Sequence, residues 1–138
     1  MVNGNSEKSF INPPELAKPV GFSYAARTRG VTIYLAGQTA MDAHGAIVGA
    51  GDIVAQFRQA VANMQIVLRD SGATFQDVVK LNFFVTDIAA YQANAKNIGA
   101  IYREFFGKHF PAMTLVEVKR LFDEQAMIEI EGVAVIAE

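Results

Sequence analysis

The segment that ends the chain alternates apolar and polar side chains, and this alternation constrains the fold more than any other feature of the sequence. In an extended chain, successive side chains point to opposite faces. Residues 126–136 are therefore predicted to form a strand with one apolar face that must be buried. The apolar face consists of Ile128, Ile130, Ala134 and Ile136, and the mixed face of Met127, Glu129, Glu131 and Val133.

Four further strands and two helices are predicted before this strand. Asp52 is a plausible N-cap for the first helix, whose apolar residues recur at helical spacing up to Leu68, and Gly72 suits its end. The second helix is predicted over residues 89–106 and ends at Gly107; Gly99 lies inside it at a cost of about 1 kcal/mol relative to alanine. The strands are predicted at residues 22–28, 31–36, 78–85 and 112–119.

The resulting order, β-β-α-β-α-β-β, predicts a single α+β domain over residues 1–138, with residues 1–10 as a flexible tail. Two helices with one apolar stripe each can cover only one face of a mixed sheet. We assign four apolar residues to the opposite face and expect a partner subunit to cover them. These residues are Met113, Leu115, Val133 and Val135.

Composition excludes several classes of function. The 138 residues contain no cysteine, which removes disulfides, thiolate metal sites and cysteine nucleophiles. The formal net charge is −2 and Lys and Arg form no basic stripe, which argues against nucleic-acid binding. No stretch approaches the roughly 20 apolar residues that span a bilayer, and no signal-peptide pattern is present, so we expect a cytoplasmic protein.

Short motifs taken singly do not identify a function. The glycine-rich stretch 45–51 lacks the signatures of a phosphate loop or a dinucleotide turn, and the separation of His44 from His109 does not indicate a zinc site. Glu129 and Glu131 point the same way from one strand, about 7 Å apart. The pair is compatible with acid–base chemistry or with a solvated strand face, and the pattern alone favours the solvated face.

A set of motifs in order along the chain resembles the Rid (reactive-intermediate deaminase, YjgF-like) family, also described as endoribonuclease L-PSP. The family signature is Pro-Ala-Arg-[Ser/Thr], then a short strand, then Ile-Glu-Ile-Glu. The matching segments are 110–121 (FPAMTLVEVKRL) and 127–135 (MIEIEGVAV), together with 35–38 (LAGQ), Asn63, 78–80 (VVK), 84–87 (FVTD) and 102–106 (YREFF).

The resemblance implies a chorismate-mutase-like fold and a homotrimer with clefts between its subunits. It also implies hydrolysis of reactive imines and enamines to keto acids and ammonia, without a metal or cofactor. In that scheme an arginine binds the substrate carboxylate and a glutamate activates the attacking water. Glu129 matches the glutamate, and the positions expected to line the cleft are Ser23, Tyr24, Gly37, Phe84, Gly99, Met113 and Thr114.

One of these positions departs from the family. Met113 stands where the arginine is expected, and methionine offers a soft apolar wall instead of two charge-assisted hydrogen bonds. Ordinary α-imino acids are therefore expected to be poor substrates. Whether Arg27 or Arg29 replaces the missing arginine is left open by the sequence.

Three hypotheses follow. The first is a Rid-family protein that binds a small, relatively apolar or neutral ligand in an intersubunit cleft and hydrolyses an imine or enamine with Glu129 as the catalytic residue. The second, favoured by Met113, is a non-catalytic binding or regulatory module with the same fold. The third, an RNA-directed activity, is the weakest because the chain lacks a basic patch.

Overall fold

A mixed four-stranded sheet forms the centre of the protein in the computed structural model, which describes residues 8–138. Its four strands are β3 (Val31–Gln38), β4 (Val78–Val85), β5 (Ala112–Glu117) and β6 (Ile128–Ile136). They lie in the order β3-β6-β4-β5. The central strand β6 runs antiparallel to both β3 and β4, whereas β5 lies parallel to β4.

Helices cover one face of this sheet, as the sequence predicts. The helices are α1 (Ile53–Asp70), α2 (Ile88–Ala93) and α3 (Ala95–Phe106), and a 3-10 turn at Phe75–Asp77 precedes β4. Phe57 and Met64 of α1 are fully buried against Ile128 and Ile130 of β6 and Phe83 of β4. Within the described residues, no helix is long and apolar enough to cross a membrane.

The ends of α1 follow the predicted capping. The Asp52 carboxylate accepts hydrogen bonds from the backbone N–H groups of Val54 and Ala55, each at 3.1 Å, which satisfies two donors that the first turn leaves unpaired. After Asp70 the chain turns through Ser71 and Gly72. Gly72 adopts φ 77°, a left-handed conformation that glycine adopts without a steric cost.

The prediction of one helix over residues 89–106 is wrong in detail, because the chain forms two helices that meet at Asn94. The Asn94 side chain donates a hydrogen bond to the Ala90 carbonyl at 2.8 Å and so supplies a local partner that competes with helix continuation. Asp87 caps the first of the two helices through the Ala90 N–H. The apolar spacing continues across the break, which explains why the pattern does not reveal it.

The N-terminal region also differs from the prediction. Lys8–Ile11 forms strand β1, paired antiparallel with β2 (Ala25–Thr28) in a separate two-stranded sheet, so the tail prediction is wrong for residues 8–10. The prediction for residues 1–7 falls outside the described residues. Lys8 anchors the hairpin through an ion pair with Asp77 at 3.5 Å, and Phe10 contacts the His109 ring edge-on.

The predicted orientation of β5 is wrong. Because β5 lies parallel to β4 with Met113 opposite Leu81 and Leu115 opposite Phe83, Met113 and Leu115 point to the helix side and pack against the buried core. Residue alternation within β5 could not reveal this, since the facing of an edge strand depends on its register with its neighbour. Val133, by contrast, lies on the face away from the helices, opposite Lys80.

Gln56 is a polar side chain with 0% exposure in the middle of this core. Its amide nitrogen donates to the carbonyls of Gly49 and Gln125, at 3.2 and 2.9 Å, and its amide oxygen accepts from the Met127 N–H at 2.7 Å. One helical side chain thus connects the loop before α1 to the segment that enters β6.

Replacing Gln56 with leucine should lower the free energy of unfolding by about 2–4 kcal/mol, because it leaves several buried backbone groups without partners. Urea unfolding followed by circular dichroism measures the change. Gln65→Leu on the exposed side of the same helix is the matched control and should change stability by about 0.5 kcal/mol or less. Equal effects of the two substitutions would contradict a structural role for the Gln56 hydrogen bonds.

Candidate functional site

The face of the four-stranded sheet turned away from the helices, here called the open face, carries a cluster of polar and charged side chains. Across the strands, Glu129 pairs with Phe84 and Glu131 with Asn82, and Asn82 is in turn opposite Thr114. Most of these side chains are only partly buried. The open face therefore presents two carboxylates to whatever covers it.

Glu129 lies directly over the backbone of Gly37. A β-carbon built at position 37 would overlap the Glu129 Oε1 atom, so any other residue there would displace the carboxylate from this position. A register shift between Leu35 and Gln38 brings Gly37 next to β6, as expected for a bulge that redirects the local chain. Three of the sequence-predicted site residues, Gly37, Phe84 and Glu129, are thus neighbours.

The two glutamates of the open face differ in their partners. The Glu131 carboxylate accepts a hydrogen bond from the Asn82 amide at 3.1 Å. Glu129 receives no hydrogen bond from any described residue, although it is half-buried. Its oxygens are thus available to a water molecule or a ligand. Thr114 is exposed nearby, and its hydroxyl accepts a hydrogen bond from Lys80 Nζ at 3.2 Å.

Met113 and Gly99 lie on the other side of the sheet, in an apolar cavity of about 400 Å³, here called the helix-side cavity. Phe57 of α1 and Phe83 of β4 form its floor together with Met113, and α3 contributes one wall. The Tyr102 ring stacks on Phe106 and Phe110. Its hydroxyl donates to the His109 carbonyl at 2.6 Å, and burial raises the pKa of that hydroxyl far above its usual value.

Ser23 and Tyr24 use their polar groups within the fold. The Ser23 hydroxyl donates to the Phe110 carbonyl at 2.7 Å, and its backbone N–H donates to the Pro111 carbonyl at 3.0 Å. These bonds hold the chain before β2 against the start of β5, which explains why β2 begins at Ala25 and not at residue 22. The Tyr24 hydroxyl donates to the Ala17 carbonyl at 2.8 Å.

Arg27 and Arg29, the two candidates to replace the missing arginine, lie away from the helix-side cavity. Arg27 is in β2 and Arg29 follows it, and both side chains are exposed on the β1–β2 hairpin. Neither belongs to the lining of the helix-side cavity. That lining does include Arg103, which sequence reasoning missed. The available signal was its position one turn after Gly99, on the same face of the helix.

The His109 ring is engaged in contacts within the fold. Its Nε2 atom lies 2.6 Å from the Val78 carbonyl, and burial lowers the pKa of the ring below its usual value. No group of three or more His, Asp or Glu side chains in residues 8–138 is arranged to hold a metal ion.

Comparison with known proteins finds a matching family model and relatives with similar sequences. The family model described as endoribonuclease L-PSP matches residues 14–136. A 2-iminobutanoate/2-iminopropanoate deaminase from Dermatophagoides farinae is 36% identical over 131 residues, covering 95% of this chain and 98% of the relative. The human deaminase of the same name is 33% identical over 104 residues, covering 75% of this chain and 72% of that protein.

Solved structures are similar over nearly the whole chain. A protein of unknown function of the conserved Rid family from Yersinia pestis superimposes with a TM-score of 0.84 at 35% identity, covering 94% of this chain and 99% of that one. The yjgF gene product of Escherichia coli gives 0.64 at 31% identity, covering 90% and 93%. With a family model matched over most of its length and these relatives, the chain belongs to the Rid/YjgF family, the endoribonuclease L-PSP family of the matching model.

Proposed function

We propose that this protein assembles as a homotrimer and binds a small metabolite in clefts between its subunits, where it hydrolyses an imine or enamine to a carbonyl compound and ammonia. Glu129 activates the water. The observation that carries the proposal is the carboxylate of Glu129, seated over Gly37 on the open face without a protein partner. Relatives named as imine deaminases support the reaction type.

The positions of the site residues support a cleft between subunits. Met113 and Glu129 lie on opposite faces of one sheet, and no rearrangement of side chains within one chain brings them together. A cleft that contains both must take Glu129 from one subunit and the helix-side cavity from a neighbour. Covering the open face also buries the apolar part of Phe84 and Val133.

The chemistry requires one base and one proton shuttle. The Glu129 carboxylate takes a proton from water as the oxygen adds to the C=N carbon and then passes that proton to the nitrogen, which gives a carbinolamine. The hydroxyl proton of the carbinolamine follows the same route through Glu129 to the nitrogen, so the C–N bond breaks and ammonia leaves as the carbonyl forms. An enamine first takes a proton on carbon to become the imine. A general base of this kind contributes about 10²- to 10⁴-fold to the rate.

Met113 sets the preferred ligand. Hydrogen bonds to a charged group contribute about 1.5–3 kcal/mol, roughly 10- to 150-fold in binding. Without an arginine at position 113, small α-imino acids lose this contribution at that position, while apolar ligands gain a polarizable wall. The preferred substrate is therefore larger and more apolar than 2-iminobutanoate.

Glu129→Gln should lower imine hydrolysis by about 100-fold or more, because the amide cannot accept the proton from water. Ammonia release from imines generated in situ by an amino acid oxidase measures the rate. Glu131→Gln is the matched control, since this residue lies two positions on, faces the same side and is already paired with Asn82. It should retain most of the activity.

Equal rates for Glu129→Gln and the unaltered protein would contradict the catalytic role. A protein that binds apolar ligands but releases no ammonia from any imine or enamine would instead be a non-catalytic binding module, which the methionine at position 113 favours. Ligand-dependent thermal stabilisation detects such binding.

Met113→Arg should raise kcat/KM for 2-iminobutanoate by about 10-fold, because it supplies the carboxylate partner that the position lacks. The comparison is made with Met113→Lys, which carries the charge but not the planar pair of donors and should recover less. If the arginine variant folds and shows no gain, position 113 does not determine the preference.

Light scattering should give a mass three times the 15.0 kDa of one chain. Val133→Lys on the open face should lower this mass, since a charge there opposes burial against a neighbour. A monomeric mass for the unaltered chain at micromolar concentration contradicts the intersubunit cleft.

A further inference from the structure

The helix-side cavity contains one charged residue, Arg103, in an otherwise apolar and aromatic lining. Two tyrosines contribute the other side-chain polar groups. The Tyr102 hydroxyl is already bound to the His109 carbonyl. Tyr91 is partly buried, and that burial raises the pKa of its hydroxyl. The cavity thus combines one fixed positive charge with aromatic and aliphatic walls.

Gly99 lies next to this charge. A β-carbon built at position 99 would have a single neighbour within 4 Å, the Nη1 atom of Arg103 at 3.6 Å. Arg103 therefore extends back along α3 over the glycine, one turn towards the helix N-terminus, which is the direction that helical side chains favour. This distance of 3.6 Å is an ordinary van der Waals contact, and it places the guanidinium beside position 99 at the edge of the cavity.

The guanidinium is also available to a ligand. The adjacent carboxylate on α3, Glu104, accepts two hydrogen bonds from Arg58, of 2.7 and 3.0 Å. Arg103 makes no ion pair with any carboxylate in residues 8–138, and its side chain is exposed at the rim of the cavity. A planar cation next to an apolar cavity suits a molecule with an anionic end and an apolar body.

We propose that the helix-side cavity binds carboxylates that carry an aromatic or branched apolar body, with Arg103 as the carboxylate partner in place of an arginine at position 113. The proposal rests on the proposed function in that it names the substrate class of the same cleft. A cavity of about 400 Å³ lies within the range of small-molecule sites, about 300–1,000 Å³. The stacked rings of Tyr102 and Phe110 provide an aromatic surface for the body of the ligand.

This binding mode also predicts tighter binding of bulky ligands than of small ones. A short α-imino acid that reaches Arg103 leaves most of the cavity empty and loses the contribution of apolar burial, about 25 cal/mol per Å². A ligand with a phenyl ring gains both the contact with Arg103 and the burial of its apolar surface. Carboxylate binding and exclusion of small α-imino acids are therefore compatible in one cavity.

Isothermal titration calorimetry with 3-phenylpropanoate tests the proposal, with 3-phenylpropanamide as the neutral analogue and butanoate as the small acid. The unaltered protein should bind 3-phenylpropanoate more tightly than either of the other two. Arg103→Met should weaken the acid by about fivefold to tenfold and leave the amide unchanged. Arg103→Lys should recover part of the loss.

Two further variants complete the test. Arg69→Met removes an exposed arginine that is paired with Asp70, outside the cavity lining, and should leave acid binding unchanged. Gly99→Leu should weaken the acid and the amide together, because its side chain enters the space above the helix. Thermal unfolding of each variant confirms that it is folded.

Equal weakening of acid and amide by Arg103→Met, or failure of 3-phenylpropanoate to bind the unaltered protein at millimolar concentration, overturns the proposal. Binding of 3-phenylpropanoate with the expected dependence on Arg103, in a protein that hydrolyses no imine, supports this inference and contradicts the proposed catalytic function. The two proposals therefore fail separately.

Discussion

The hydrogen bond from the Met127 N–H to the buried Gln56 side chain fixes where strand β6 begins, and the rest of the sheet depends on that register. β6 lies between β3 and β4, with Ile128 and Ile130 in the core and Glu129 on the open face. A slip of one residue would place the glutamates in the core and the isoleucines outside. The glutamine that anchors the strand is therefore the constraint that keeps the candidate base in place.

The alternation of side chains between the two faces of the sheet also explains why the candidate site residues form two separate groups. Residues that the family resemblance assigns to one cleft fall into two groups, Glu129 with Gly37 and Phe84 on the open face, and Met113 with Gly99 in the helix-side cavity. The division follows from the two-sided geometry of a sheet, and it is the reason for our proposal that a second chain completes the site. In our proposal for the cavity, Arg103 of α3 supplies the positive charge that Met113 does not.

Much of the fold could be predicted from the sequence because its signals are local. The capping carboxylate of Asp52 and the alternation of β6 required no knowledge of tertiary contacts. The break at Asn94, the facing of Met113 and the role of Ser23 could not be predicted, since each depends on a partner far away or on a side-chain bond that competes with a regular pattern. The distinctive motif around Glu129 assigns that residue a role, which stays a prediction. Arg103 lies within the matched segment 102–106, but the resemblance gives that position no role, so the sequence did not single it out.

The central claim is that each site combines Glu129 of one subunit with the helix-side cavity of another. Activity of assemblies refolded from mixed Glu129→Gln and Gly99→Leu chains tests it most directly, because each variant alone should have little activity. If neighbouring chains share the site, an equal mixture should recover about a quarter of the unaltered activity, the fraction of clefts that take both intact parts. If the mixture has no more activity than the two variants measured separately, each site lies within one chain and the account is contradicted.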